Sequence, residues 1–159
     1  MKFDIVKMED ALEIIIDYRG KTPKKSENGI MTLSAKSVKN NFIDYSQCYY
    51  ISEEEYNCFM VRGLPKKGDI LLTTEAPLGM VARLDRDDVA VAQRLLTLRG
   101  KQSVLDNDYL LYYLHVYMYV NTNYPQIKCK IIVYCIIKSN FGIYSCQNIR
   151  YFLLDVIIW

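Results

Sequence analysis

Gln93 and Arg94 stand side by side and interrupt an apolar stretch that runs from Val89 to Leu98. A plain strand needs neither residue. Glutamine can engage two atoms of an adenine edge and arginine two atoms of a guanine edge, so the pair carries side chains suited to reading bases. Thr74 and Glu75 open a Pro/Gly loop, where glutamate could accept from cytosine but would repel phosphate. Arg19, Lys21, Lys24 and Lys25 cluster in a second, Pro-containing loop with the composition of a phosphate clamp. Lys36 and Lys39 lie three apart, with Ser34 and Ser37 beside them. For each group the alternative is an ordinary solvated loop. Arg62, Lys66 and Lys67 form a further basic run, which reads as a solvated face.

Other chemistry is poorly supplied. Gly20-Lys21-Thr22 lacks the Gly five residues earlier that a phosphate loop requires, because Ile15 stands there, and Pro23 blocks the following helix. No G-x-G-x-x-G occurs, nor the Asn/Asp-Pro-Pro-aromatic signature of an adenine methyltransferase. The single histidine, His115, reads as a helix residue, and no cysteines pair at metal-ligand spacing, so no metal is expected. No acid lies two residues before a lysine, so the acid-x-Lys pattern of restriction nucleases is missing. Asp87-Asp88 reads as a solvated turn. No catalytic residues are assigned, and the pattern points to a binding module rather than an enzyme.

The 159 residues carry 20 Lys+Arg and 18 Asp+Glu, a near-neutral balance that excludes a polybasic protein but allows a local basic face. A hydrophobic fraction of 51% is enough for a core. Five cysteines in an odd, unpatterned set, with no apolar leader after Met1, read as free thiols in a reducing cytoplasm. The longest apolar run, Ile131 to Ile137, is too short for a membrane helix.

These candidate residues must be held by a mixed set of elements. Met8–Ile16 reads as a short amphipathic helix, and Ile30–Ser34 as a strand followed by a turn over Ala35–Asn40. Ser52 with Glu55 makes a capping box that opens a helix. Asp69–Thr74 and Met80–Leu84 read as a hairpin around the loop Glu75–Gly79, with Asp69 a turn residue. Val89–Ala92 and Leu95–Arg99 are two more strands. Asp106 caps a helix through about Met118, in which Tyr109, Tyr112 and Tyr113 serve mainly in packing. Without a βαβ rhythm the class is α+β.

The last third differs in kind. From Val116 to Trp159 there is no Ala and no Glu, and the only charges are Lys128, Lys130, Lys138, Arg150 and Asp155. No period of 2 or 3.6 stands out, although Ile131–Ile137 and Tyr151–Trp159 could be strands. Two readings stand: a β segment buried or covered by a partner, or the frameshifted end of an AT-rich gene. The coding DNA separates them. The expected organisation is therefore 1–115 as one domain and 116–159 as a Tyr/Ile-rich tail.

Residues 3–114 resemble a target recognition domain of the specificity (S) subunit of type I restriction–modification systems. The resemblance rests on blocks in family order. Asp17-Tyr18-Arg19-Gly20-Lys21-Thr22-Pro23 looks like the first loop. Gly29-Ile30, Ser34-Ala35-Lys36-Ser37-Val38-Lys39 and Ile43-Asp44 resemble the strand-and-turn block, and Tyr50-Ile51-Ser52-Glu53 with Tyr56 the start of a helix. Leu64-Pro65-Lys66-Lys67-Gly68-Asp69-Ile70-Leu71 leads into Thr73-Thr74-Glu75-Ala76-Pro77-Leu78-Gly79, the most specific piece. Ala92-Gln93-Arg94 and Tyr109-Leu110-Leu111-Tyr112-Tyr113-Leu114 complete the order.

The resemblance implies a non-catalytic reader of double-stranded DNA built on a small twisted mixed or antiparallel sheet with short flanking helices. It implies that Arg19, Lys21, Lys24, Lys25, Ser34, Lys36, Ser37, Lys39, Thr74, Gln93 and Arg94 include the DNA contacts. In complete subunits of this family two such domains each precede a long helix, and the paired helices dock methyltransferase subunits, which restriction subunits join. S-adenosylmethionine, ATP and Mg²⁺ belong to those partners, and this chain is expected to hold no cofactor of its own. After Leu114 the family's last strands, Pro-rich block and long helix are not visible, so the domain is expected to be truncated. Two rivals remain: a protein–protein interaction module, and a non-functional product of a disrupted gene.

Overall fold

The computed structural model describes residues 4–18, 22–123 and 155–158. In chain order the elements are β1 (Asp4–Lys7), α1 (Met8–Ala11), β2 (Leu12–Asp17), β3 (Ile30–Leu33), β4 (Tyr49–Ile51), α2 (Glu53–Phe59), β5 (Ile70–Thr73), β6 (Val81–Arg83), β7 (Val89–Val91), β8 (Leu95–Gly100), α3 (Asn107–Asn123) and β9 (Asp155–Ile158). An antiparallel sheet runs in the order β2-β8-β5-β6, and a smaller one in the order β4-β3-β7, where β3 pairs β7 in parallel. β1 and β9 form an antiparallel pair.

The larger sheet is buried on both faces, which explains its unbroken apolar runs. Ile70, Leu72, Leu96 and Leu98 turn to one face and pack with Leu110, Leu114 and Met118 of α3. Leu71, Ala82 and Leu95 turn to the other and pack with Leu33, Val89 and Val91 of the smaller sheet. A third cluster, Ile16, Tyr18, Ile51, Phe59, Met60 and Ala90, joins β2 to β4 and α2. Each fully buried Leu in these layers is worth about 1.5–3 kcal/mol.

Only the first turn of the expected helix Met8–Ile16 is helical; the remainder is β2. Ile14, Ile15 and Ile16 are β-branched and favour extended backbone. Met8, Leu12 and Ile15 do share one environment, but on a helix turn followed by a strand, while Ile14 and Ile16 pack on the opposite face. A strand covered on both sides imitates helical spacing.

The caps form as expected, with one change. Ser52 Oγ accepts from the Glu55 N–H at 3.1 Å, opening α2. The Glu55 carboxylate does not close the box on Ser52; it accepts from the Lys24 N–H at 3.1 Å. Asp106 Oδ1 accepts from the N–H groups of Asp108 and Tyr109, starting α3. α3 continues through Asn123, so residues 116–123 of the expected tail are helical. Tyr109, Tyr113 and Tyr117 stack along it with ring centroids 6.2 and 6.0 Å apart. Within Tyr151–Trp159, Asp155–Ile158 is a strand, while Ile131–Ile137 lies outside the described residues. Among the described residues no helix is long and apolar enough to cross a membrane.

Asp69 is more than a turn residue. It accepts from the Lys66 N–H at 2.8 Å and takes both sides of the Arg99 guanidinium at 2.7 and 2.8 Å. Beside it, Asn107 accepts from the Gly100 N–H and donates to the Gly68 carbonyl, locking this end of the sheet.

Candidate nucleic-acid interface

The register brings the candidate residues to the other end. Asp17 pairs Leu96, Thr73 pairs Leu95 and Leu72 pairs Val81. β2 and β5 therefore end where β6 and β8 begin. Because β3 runs parallel to β7, with Leu33 opposite Val91, the turn after β3 emerges beside the Ala92-Gln93-Arg94 connection. The Ala92 N–H donates to the Leu33 carbonyl at 2.9 Å, and the Asn41 N–H to the Val81 carbonyl at 2.9 Å. Four connections from distant parts of the sequence thus share one end of the molecule.

They are joined by specific bonds. Gln93 Nε2 donates to Thr22 Oγ1 at 2.7 Å, tying the first loop to the β7–β8 connection. The Thr74 N–H donates to the Arg94 carbonyl at 3.0 Å, and Glu75 Oε2 lies 3.4 Å from Arg94 Nε. Thr73 closes the β5–β6 loop from below: its carbonyl accepts from the Gly79 N–H and its Oγ1 from the Met80 N–H. Gly79 has φ +83°, and a Cβ there would lie 2.4 Å from Met118 Cε, so this loop also packs on α3. Three of the four non-glycine residues with positive φ among those described, Asn41 (72°), Ala76 (35°) and Arg94 (70°), occur in these connections. Such conformations gather where surrounding structure fixes a functional geometry.

The remaining candidates divide. Lys24 and Lys25 are exposed along the flank of β4, and Lys25 Nζ sits 4.9 Å above the Tyr49 ring. Burial pushes the Tyr49 hydroxyl up to about 12, so the ring beneath the ammonium is neutral and the contact is cation–π. Lys36 is exposed and Lys39 half-buried in the turn after β3. Ser37 is the exception. It is fully buried, and its Oγ accepts from the Ser34 N–H at 3.2 Å and from Cys48 Sγ at 3.5 Å. Its hydroxyl shapes the turn and does not face solvent; Ser34 closes the same turn through its backbone and is half-buried. The half-buried Thr74 has its Oγ1 shielded and without a hydrogen-bond partner among the described residues. Arg19 and Lys21 lie outside the described residues.

Two residues gain a role that sequence reasoning did not give them. Thr22 anchors Gln93, and nothing in its sequence surroundings signals this. Glu75, which the sequence offers as a cytosine acceptor that would repel phosphate, partners Arg94; the signal is an acid next to Thr74 in the loop facing the Gln93-Arg94 connection. Lys66 and Lys67 belong to the opposite end, where the Lys67 N–H donates to Asp87. Among the described residues no three of His, Cys, Asp and Glu gather as metal ligands.

No protein-family model and no curated protein matches the sequence. Solved structures do match. The HsdS subunit from Thermoanaerobacter tengcongensis superposes with a TM-score of 0.51 at 22% identity, over 73% of this chain and 28% of that one. The fold is that of one region of an HsdS subunit. A second structure, described as the basis of complex assembly and conformational transition of the type I R-M system, gives 0.53 at 20% identity over the same shares. The chain spans about 28% of the length of either matched chain. The expected α+β fold of a type I target recognition domain is borne out, and at these identities the fold is what is shared.

Proposed function

We propose that this chain binds double-stranded DNA sequence-specifically, as a target recognition domain of a type I restriction–modification specificity subunit. The observation that carries the reading is the convergence of Thr22, Lys36, Thr74 and Gln93-Arg94 at one end of the sheet, fixed by backbone pairing and side-chain bonds. Lys24, Lys25, Lys36 and Lys39 flank the base-reading pair as phosphate contacts, which position the duplex without reading it. The chain itself is non-catalytic. It would direct methyltransferase and restriction subunits to a half-site, and S-adenosylmethionine, ATP and Mg²⁺ would be theirs.

The test is a titration of the full chain with duplex DNA at several salt concentrations. Each phosphate contact should contribute about 0.9 to the slope of log affinity against log salt. Lys36→Ala should weaken binding to all sequences alike and lower that slope by about 1. Absence of duplex binding at low salt would sink the proposal. A protein–protein module is the second reading, favoured by Tyr112 and Val116, 67% and 65% exposed one turn apart on α3. A defined partner complex without DNA affinity would establish it instead.

A further inference from the structure

Glu75 sits where a carboxylate is costly for DNA binding, since it would repel the phosphate backbone. Folding does not explain it: the Glu75–Arg94 pair is exposed on both sides, and exposed pairs add little stability. Its neighbours suggest what it does. Thr74 holds the Arg94 main chain through the 3.0 Å bond to its carbonyl, and the next residue, Glu75, approaches the Arg94 side chain at 3.4 Å from the Nε side. Gln93, tied to Thr22, fixes the residue before. With φ at +70°, the Arg94 backbone is held in a conformation that arginine seldom adopts.

The backbone of Arg94 is therefore set, and the freedom left is that of a long side chain. A carboxylate beside Nε restricts that freedom and leaves Nη1 and Nη2 as a planar fork. Such a fork matches O6 and N7 of guanine in the major groove. We propose that Glu75 is a positioning residue for Arg94, and that the Glu75–Arg94 unit specifies a guanine in duplex DNA. This rests on the DNA-reading proposal above and names the base that one part of the interface selects.

The experiment is selection by the full chain from a randomised duplex library, followed by competition binding with single-base variants of the selected site. Wild type should prefer guanine at one position. Glu75→Ala should lose about 5- to 150-fold of discrimination there, with other positions unchanged. Glu75→Gln, which keeps the length and one acceptor oxygen, should retain part of it. Arg94→Ala should lose the same position, and the double variant should lose no more than Arg94→Ala alone. Unchanged melting temperatures would show that the loops still fold.

If Glu75→Ala tightens binding to every sequence equally and keeps the guanine preference, Glu75 only repels phosphate and the inference is overturned. A selected site whose guanine preference survives Arg94→Ala, or that has no such preference, overturns it as well while DNA reading stands. A wild-type chain that selects no sequence removes the DNA-reading proposal and this inference together.

Discussion

An arginine–acid pair stands at each end of β8, Arg94 just before the strand and Arg99 near its close, and the two pairs differ in almost everything but their chemistry. Arg99 and Asp69 meet at 2.7 Å with side chains 14% and 1% exposed; Arg94 and Glu75 meet at 3.4 Å with side chains 52% and 66% exposed. Arg99 donates to both carboxylate oxygens of Asp69 and to Glu13, and the Asn107 bridge between Gly100 and Gly68 lies beside it. Hydrogen bonding to Asp69 is the main reason its guanidinium is held even more firmly protonated than usual. Around Arg94 the backbone is tied down and the side chain is left facing solvent. One end is closed on itself by buried bonds, and the other leaves an arginine open to solvent.

The largest effect should come from the closed end. Arg99→Ala would leave Asp69 buried with a single backbone donor, and about 3–5 kcal/mol of stability should be lost, measured by denaturant titration. A loss under about 1 kcal/mol would mean the two ends are not so different. Next comes Arg94→Ala. It should cost about 1–3 kcal/mol of discrimination at one base position, read by competition binding. Its unfolding free energy should stay within about 0.5 kcal/mol of wild type. Equal destabilisation by Arg94→Ala and Arg99→Ala would collapse the comparison.

Ser52→Ala calibrates the scale between these extremes. It removes the α2 cap, away from either arginine, and should cost about 1 kcal/mol in the same titration. The smallest effect concerns pH. His115 Nε2 is buried without a hydrogen-bond partner among the described residues, and burial holds the imidazole below its ordinary 6.5. Below pH 6.5 the unfolded chain then binds more protons than the folded one. Stability should fall as pH drops from about 6.5 through the lower folded value. His115→Gln should flatten that part of the stability–pH curve, and an unchanged curve would show that other groups set it.

Much of this architecture was legible in the sequence because local signals and burial agree. The Ser52 and Asp106 caps, the β5–β6 hairpin and the successive runs Val89–Ala92 and Leu95–Arg99 all fall where turn chemistry and apolar runs place them. β2 was misread because a strand covered on both faces loses its period-2 alternation. The sharing of candidate residues between loops was legible only in part. Gln93 and Arg94 announced themselves as polar residues in an apolar run. Their links to Thr22 and Glu75 depend on the antiparallel pairing of β8 with β2 and with β5 and on the register of that sheet, which are long-range properties. Ser37 was misjudged for a related reason: a serine that closes its own turn looks, in sequence, like one offered to solvent.

The most direct test of the central claim, that the loop end reads DNA, is selection from a randomised duplex library by wild type and Arg94→Ala in parallel. The account predicts a defined consensus for wild type and the same consensus with one position relaxed for the variant. Identical consensus sequences from both proteins, or no enrichment by wild type, would contradict it.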